Sequence, residues 1–303
     1  MSSLGAWIKA ARPRTLPLSL SGIIVGLGLT GAHGNKAPLA VIGCLLTTIF
    51  FQVLSNFAND LGDGMKGTDN SQRIGPTRAV QSGEISIKQM KIAVFVLGIL
   101  SLLSAGTLIY VAPATNSSTG IIFYLVLALL CITAAITYTV GKKAYGYHGL
   151  GDLMVFLFFG MVAVSGTKHL FEETFSINEL FGALAIGTWS TMVLNLNNMR
   201  DIANDAASGK RTLVVLLGSK NAKRYHYLLA FLGCSAWIIL LIQQANETEN
   251  YLILLAVTPI LLFAKHINQV MKIKEPKAFD PTLKKVALST FFASILFYAL
   301  SYL

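Results

Sequence analysis

The chain has 303 residues, of which 54% are apolar and only 13% are charged, and its mean hydropathy is +0.62. Soluble domains carry about 25% charged residues, so a soluble protein of this length would lack the polar side chains needed to cover its surface. The composition excludes a disordered chain, a typical cytosolic enzyme and a basic nucleic-acid-binding domain. It predicts an all-α, polytopic membrane protein with no nucleic-acid partner.

Residues 1–14 form a short basic segment that contains Trp7, Arg12 and Arg14. Aromatic and basic residues ahead of an apolar run are typical of a helix that lies in the membrane interface. A cleaved signal peptide would show the same order of segments. It is disfavoured because the apolar run that follows is long enough to span the membrane, and its removal would disturb the charge pattern described below.

Stretches of about 20 mostly apolar residues, the length that one helix needs to cross a bilayer, recur along the chain. We therefore predict a single domain, 1–303, with about nine transmembrane helices. Pro259 falls in the eighth stretch, and membrane helices accept proline. Asp152 lies near the start of the fifth stretch. The spans are predicted at 15–32, 37–58, 92–112, 121–140, 149–167, 180–198, 226–243, 250–265 and 286–303.

The Lys and Arg residues alternate between the two sides of this arrangement. Of the 24, 22 fall in the N-terminal segment and the even-numbered connections, and the other two are Lys36 and Lys168. Connections that stay in the cytoplasm are the ones enriched in Lys and Arg. We expect an integral protein of a bacterial inner or plasma membrane, with its N-terminus in the cytoplasm and its C-terminus outside. The same distribution accounts for the excess of positive charge.

Five of the 14 acidic residues lie in two short segments at the cytoplasmic ends of spans two and six. On a helix, residues three or four positions apart share a face, so acids in each segment align with an asparagine one turn earlier. Solvated helix ends would explain one such segment, but two equivalent segments favour a common function. The first segment contains Asn56, Asp60, Asp63 and Asp69, and the second contains Asn197, Asp201 and Asp205.

Carboxylates at this spacing repel one another, and near a membrane that repulsion is costly. A divalent cation would remove the cost. The segments offer carboxylate and amide oxygens without paired His or Cys ligands, which favours Mg²⁺ over Ca²⁺ or Mn²⁺. Because Mg²⁺ commonly shares its ligands with substrate phosphates, the two segments predict a pair of Mg²⁺ ions that hold one diphosphate.

Basic and aromatic side chains are interleaved with the acids. Arg and Lys next to a diphosphate stabilise the negative charge that develops as it leaves. The alternative is that these cations only orient the protein and that Tyr138 is an interfacial anchor. Lys142 follows Tyr138 by four positions, which predicts a shared helix face at the end of span four. The candidates are Arg73, Arg78, Tyr138, Lys142, Arg200, Lys210 and Arg211.

Taken together, these motifs resemble those of the UbiA superfamily of intramembrane aromatic prenyltransferases. The resemblance covers essentially the whole chain, including the number of spans and the positions of both acidic motifs. The shorter elements that carry it are Tyr138-x-x-x-Lys142, Gly75-Pro-Thr-Arg78 and Gly209-Lys-Arg-Thr212.

The chain departs from the superfamily pattern in the first acidic motif. That motif usually reads Asn-x-x-x-Asp-x-x-x-Asp, which would place its last acid at position 64, where this chain has Gly64. Asp63 or Asp69 would then supply the third ligand. Asp63 has the better helical phase relative to Asp60.

The resemblance implies a helical bundle with a cytoplasm-facing active site and two Mg²⁺ ions. It implies a polyprenyl diphosphate donor whose tail lies among the helices and exits laterally into the lipid bilayer. The motifs are most similar to those of members that prenylate 1,4-dihydroxy-2-naphthoate with loss of CO₂, which gives demethylmenaquinone.

Roles for individual residues also follow from the resemblance. Asp60, Asp63, Asp201 and Asp205 would bind the metal. Asp60, Asp201 and Asp205, together with Lys142, would be catalytic. The residues implied to contact the diphosphate, the prenyl chain or the acceptor are Asn56, Arg78, Tyr138, Asn197, Arg200, Lys210 and Arg211.

Other functions stay open from the sequence alone. A related prenyltransferase could use 4-hydroxybenzoate, homogentisate or haem as the acceptor. A CDP-alcohol phosphotransferase shares the opening Asp60-x-x-Asp63-Gly64, but the Ala-Arg expected next is absent. A metal-ion transporter usually binds its ion near the middle of the bilayer, whereas these acids lie at the ends of spans.

Overall fold

The computed structural model describes residues 3–30 and 37–303, and the regular structure within these ranges is helical. We number the main helices in chain order. They are α1 (Leu4–Ala11), α2 (Leu16–Gly28), α3 (Ala37–Lys66), α4 (Ile87–Val111), α5 (Ser118–Thr137), α6 (Gly151–Phe171), α7 (Ile177–Ala207), α8 (Leu213–Thr248), α9 (Ile260–Lys272) and α10 (Asp280–Leu300).

Within the described ranges, the eight helices α3 to α10 are long and apolar enough to cross a membrane. For α9 and α10 this includes the 3₁₀ turns that precede them, Tyr251–Val257 and Pro276–Phe279. These eight helices match predicted spans two to nine. The first predicted span, 15–32, corresponds to α2, which has 13 residues, and its last two positions lie outside the described ranges. The prediction of an all-helical membrane bundle with about nine spans is confirmed.

The outer surface of the bundle is strongly apolar. On α4, Phe95 and Leu103 are exposed, and on α5 the exposed side chains include Ile122, Phe123 and Leu130. Contiguous apolar surface of this extent is not stable against water and marks a surface that contacts another apolar phase. In a bundle of membrane-length helices, that phase is the hydrocarbon of the bilayer.

The predicted interfacial segment forms α1. Its first turn is capped by the Ser3 side chain, which accepts a hydrogen bond from the amide of Ala6. Trp7 packs on Phe57 of α3 with 5.4 Å between ring centroids. The helix ends at Arg12, whose φ of 51° turns the chain sharply into the start of α2.

Helices α3 and α7 extend about two turns beyond the predicted spans, which ended at residues 58 and 198. The extra turns carry the acidic motifs, so Asp60, Asp63, Asp201 and Asp205 all lie on helices. Hydropathy ended the predicted spans early because these turns are polar. They remain helical because their side chains face the interior of the protein rather than lipid.

Helix α6 contains a π-helical segment, Phe156–Val162, that lies directly against α7. A Cβ atom at Gly160 would lie 2.5 Å from the carbonyl oxygen of Ala183 and 2.8 Å from Cα of Gly187. The backbones of the two helices therefore touch. The π segment redirects the side chains of α6 along a cavity described below, as such segments often do at functional sites.

This contact leads to a stability prediction. We expect Gly160→Ala to lower the free energy of unfolding by about 1–3 kcal/mol, because the added methyl group would overlap the α7 backbone. The readout is the melting temperature of the purified protein in detergent. Gly98→Ala on α4 is the matched control, since nothing lies within 4 Å of a Cβ atom there. Equal melting temperatures for the two variants would contradict the close packing of α6 and α7.

Candidate active site

One cavity of about 560 Å³ runs into the bundle from the end where the acidic motifs lie. Its mouth is polar and its depth is apolar, with Leu108, Phe158 and Val162 among the deep lining residues. Gly151 and Leu170, at opposite ends of α6, both line it. At 1.5 Å per residue, the cavity therefore follows α6 for about 28 Å.

Asp60 and Asp63 share one face of α3 but have different partners. The guanidinium of Arg12 donates a hydrogen bond to Oδ1 of Asp60, and Nε of Arg78 lies 3.7 Å from the same oxygen. Lys210 Nζ lies 3.1 Å from Oδ2 of Asp63. Asp63 lines the main cavity, whereas Asp60 lines a small adjoining pocket.

Asp69 is the other candidate for the third acid of the first motif. It lies on the loop after α3, is buried, lines the main cavity and pairs with Arg73 at 3.1 Å. Its Oδ2 atom is buried without a hydrogen-bond partner in the described part of the chain. Burial raises the pKa of Asp69, and the carboxylate of Asp63 raises it further. The structure therefore brings both Asp63 and Asp69 to the cavity.

The second motif is organised by Arg200. Its Nε and Nη2 atoms donate to the two carboxylate oxygens of Asp201 at 3.0 and 2.7 Å. Nη2 also donates to Oδ1 of Asn197 at 2.8 Å, and Nη1 donates to Asp280 at the start of α10. Asp205, one turn beyond Asp201, is buried and lines the cavity.

Contacts between the two motifs hold them at one end of the cavity. Arg73 lies beside Asp69 and also 3.5 Å from Oδ2 of Asp201. Asn204 donates from Nδ2 to the carbonyl of Thr68 at 2.9 Å. A Cβ atom at position 75 would lie 2.5 Å from Nη2 of Arg200 and 2.7 Å from Nη2 of Arg73, so a side chain there would displace the two guanidinium groups.

Cations outnumber carboxylates by two at this end of the cavity. Burial opposes the charge of Lys210, but Asp63 and other nearby acidic groups raise its pKa above the usual value. Burial and the neighbouring guanidinium groups of Arg12 and Arg73 hold the pKa of Arg78 well below the usual value. Around the cavity and the adjoining pocket lie six carboxylates, Asp60, Asp63, Asp69, Asp201, Asp205 and Asp280, and eight cations, Lys9, Arg12, Arg14, Arg73, Arg78, Arg200, Lys210 and Lys284.

Most of the residues singled out from the sequence meet here, but four do not line the main cavity, and one of these, Asp60, lines the adjoining pocket instead. Lys142 and Arg211 are exposed and lie outside its lining. The predicted shared helix face of Tyr138 and Lys142 is wrong, because α5 ends at Thr137 and the chain then turns. Asn56 lies behind the cavity wall, where Nδ2 donates to the carbonyl of Ala11 at 2.8 Å.

Tyr138 lines the cavity, as its sequence position suggested. Its ring packs edge-on against Tyr145 with 5.3 Å between centroids. Burial raises the pKa of Tyr138 to about 12, so the phenol stays neutral at physiological pH. A neutral aromatic ring between the polar mouth and the apolar depth can cover a cationic carbon.

Three residues outside the predicted site, Arg12, Tyr147 and Asp280, also contact site residues. Tyr147 donates from Oη to Oδ1 of Asp63 at 2.7 Å, and its ring lies 3.9 Å from Nζ of Lys66. From the sequence, Arg12 is one of the basic residues of the N-terminal segment, and Tyr147 and Asp280 belong to none of the motifs. No local pattern distinguishes these residues, because each reaches the site from a different segment of the chain.

The residues suit a hard cation, although they do not form a closed cage. Among the described residues, no three Asp, Glu, His or Cys side chains converge closely enough to hold a metal ion. The available donors are carboxylate and amide oxygens, including the unpartnered Oδ2 of Asp69 and the unpartnered Oδ1 of Asn59 in the cavity lining. Mg²⁺ characteristically takes one or two carboxylates and completes its shell with water and substrate phosphate.

Comparison with known proteins agrees with this geometry. The chain is 41% identical over 299 residues to a 1,4-dihydroxy-2-naphthoate octaprenyltransferase of Escherichia coli, covering 98% of this chain and 95% of that protein. It is 40% identical over 296 residues to the protein of the same name in Haemophilus influenzae, covering 97% and 94%.

The fold is also similar to that of a solved UbiA homologue from Archaeoglobus fulgidus bound to DMAPP and Mg²⁺. The TM-score is 0.70 at 16% identity, covering 98% of this chain and 97% of that one. The model of the UbiA prenyltransferase family matches residues 19–300. This protein therefore belongs to the UbiA prenyltransferase family.

Proposed function

We propose that the protein transfers a polyprenyl group from polyprenyl diphosphate to 1,4-dihydroxy-2-naphthoate with loss of CO₂. The observation that carries the proposal is the cavity itself, which joins a mouth lined with paired charges to an apolar passage about 28 Å long. A substrate that fits both parts has an ionic head and a long hydrocarbon tail. The names of the two bacterial relatives support the naphthoate as the acceptor.

In this proposal the aspartates hold Mg²⁺ together with the diphosphate. Asp63, Asp69, Asp201 and Asp205 line the main cavity and are the candidate ligands, while Asp60 acts from the adjoining pocket. Two ions fit the two motifs. Bound Mg²⁺ would supply positive charge to the phosphate oxygens and so favour departure of the diphosphate.

The basic side chains act directly on the leaving group. Lys210, Arg73 and Arg200 already lie beside the acids of both motifs, at 3.1, 3.1 and 2.7 Å. Turning from those carboxylates to the diphosphate would let them stabilise the charge that grows on the bridging oxygen as the allylic C1–O bond breaks. We assign this step to the cations of the cavity lining; Lys142 and Arg211 are exposed and lie outside that lining.

The acceptor ring would then form a C–C bond with the allylic carbon. The carbon that bears the carboxylate attacks, CO₂ leaves, and its bonding electrons return to the ring, which stays at the hydroquinone level. The product is demethylmenaquinone in its reduced form. Tyr138 covers the reacting carbon, and the apolar depth of the cavity excludes the water that would otherwise trap it.

Orientation in the membrane follows from the distribution of charge. With 22 of 24 Lys and Arg residues on the side of the acidic motifs, we propose that the active site opens to the cytoplasm and that the C-terminus lies outside. A bacterial inner or plasma membrane is the proposed location. Labelling of engineered surface cysteines with a membrane-impermeant reagent in spheroplasts measures this orientation.

The acceptor is tested with membranes that contain the protein, a polyprenyl diphosphate and Mg²⁺. We expect prenylation of 1,4-dihydroxy-2-naphthoate with release of CO₂, detected as a lipid-soluble naphthoquinone by chromatography and mass spectrometry. The panel also contains 4-hydroxybenzoate and homogentisate. Preference for either would overturn the naphthoate assignment, and the absence of any prenylated product would overturn the reaction class.

The role of the acids is tested most cleanly at Asp205. Its carboxylate forms no ion pair or hydrogen bond in the described part of the chain, so Asp205→Asn removes only a longer-range attraction to Lys210. We expect kcat to fall by at least about 100-fold, because the side chain would no longer hold a cation against the diphosphate. The melting temperature should not change. Glu84→Gln, at an exposed carboxylate paired with Lys9, is the control, and an Asp205→Asn enzyme as active as this control would refute the assignment.

Because no three acids converge in the described part of the chain, Mg²⁺ and diphosphate should bind together. We expect Mg²⁺ alone to raise the melting temperature little, because the protein supplies too few ligands by itself, and Mg²⁺ with inorganic diphosphate to raise it clearly. Chelation with EDTA should abolish prenyl transfer, and added Mg²⁺ should restore it. Full activity in EDTA would show that no divalent cation takes part.

A further inference from the structure

Two of the cations that line the main cavity have no acidic partner. Of the seven that line it, five lie within 4.0 Å of a carboxylate oxygen. Arg14 and Lys284 form no such ion pair in the part of the chain that the structure describes, although both line the cavity. An unpaired cation facing a cavity of this kind is available to bind an anionic ligand.

Arg14 and Lys284 lie at the same end of the cavity. Arg14 belongs to the 3₁₀ turn that leads into α2, and Lys284 lies in the second turn of α10. The two helices run side by side in the same direction, since a Cβ atom at Gly28 would lie 2.8 Å from the ring of Phe297. Near the same ends, Tyr302 donates from Oη to the carbonyl of Leu27 at 3.1 Å. At the other ends, Arg14 and Lys284 both line the cavity, and Asp280 at the start of α10 acts electrostatically on Arg14.

The surroundings of Arg14 carry excess positive charge. Burial lowers the pKa of Arg14, Asp280 opposes that shift, and the guanidinium groups of Arg200, Arg12 and Arg73 add to it. The opposing carboxylate is already shared, because Asp280 accepts a hydrogen bond from Nη1 of Arg200. An additional anion beside Arg14 would relieve the repulsion among these groups.

The wall next to Arg14 is polar but uncharged. Ser19 donates from Oγ to Oε1 of Gln52 at 2.6 Å, and Gln52 donates from Nε2 to Oγ1 of Thr15 at 3.1 Å. All three residues line the cavity. Hydroxyl and amide groups of this kind can exchange hydrogen bonds with the hydroxyl groups of a ligand, but they offer no charge to a diphosphate.

We infer that Arg14 and Lys284 bind the carboxylate of the aromatic acceptor, while Thr15, Ser19 and Gln52 contact its ring hydroxyl groups. The inference rests on the proposed function only in requiring a carboxylated acceptor, because 1,4-dihydroxy-2-naphthoate, 4-hydroxybenzoate and homogentisate all carry one. Arginine matches the planar, two-oxygen geometry of a carboxylate, which would fix the orientation of the ring. The paired cations of the two motifs remain for the diphosphate.

The kinetic test compares Arg14→Gln with the wild type. We expect KM for the carboxylated acceptor to rise about 10- to 100-fold, the usual effect of losing a charged hydrogen-bonded pair, while KM for the polyprenyl diphosphate stays within about threefold. Lys284→Gln should shift the same constant in the same direction. Arg224→Gln is the matched control, since Arg224 is exposed and lies outside the cavity lining.

An equilibrium measurement separates this inference from the proposed reaction. Purified protein in detergent is titrated with 2-naphthoate and with naphthalene-2-carboxamide, which has nearly the same shape but no charge. We expect the wild type to bind the carboxylate more tightly, and Arg14→Gln to bind the two ligands equally. This comparison holds even if turnover of the naphthoate fails, because it needs no chemistry.

Three outcomes would overturn the inference. One is a raised KM for the diphosphate donor with an unchanged KM for the acceptor, which would assign Arg14 to the donor. Another is unchanged kinetics in both Arg14→Gln and Lys284→Gln. The third is equal binding of 2-naphthoate and its carboxamide to the wild type.

Discussion

Charge neutralisation inside a membrane protein is the constraint on which this structure depends. A carboxylate buried next to lipid is stable only when a cation or several hydrogen bonds compensate it. The carboxylate of Asp63 accepts a hydrogen bond of 3.1 Å from Lys210, which is 147 positions later in the chain. The carboxylate of Asp201 pairs with Arg73 of the loop after α3. These pairs draw three separate segments of chain over one end of the cavity and so build its mouth.

The same pairing gives the mouth its chemical capacity. In the proposed reaction the diphosphate takes the cations and Mg²⁺ takes the aspartates, so each partner of an ion pair exchanges one counter-charge for another. Such an exchange avoids leaving any buried charge unpaired, which would cost several kcal/mol. Most of the charged groups at the mouth are already paired in the structure, which limits this cost.

The packing of α6 on α7 borders the apolar part of the cavity. Glycine at position 160 brings α6 onto α7, and the π segment around it turns Phe158 and Val162 toward the cavity. A regular, evenly packed α6 would fill this space with side chains. The passage runs beside this close contact and the irregular part of α6. In the proposed reaction it accommodates the hydrocarbon tail that the ionic mouth alone could not bind.

The sequence by itself determined the membrane class, the approximate spans, the common side of most cations and the two acidic motifs, because hydropathy and helical spacing are local properties. It also indicated the family through those motifs. Only the tertiary structure decided which residues meet. It placed Asp69 beside Asp63, left Lys142 outside the cavity lining by ending α5 at Thr137, and added the contacts of Arg12, Tyr147 and Asp280. These contacts join segments far apart in the chain, and their geometry depends on how helices pack and loops turn, which no local pattern encodes.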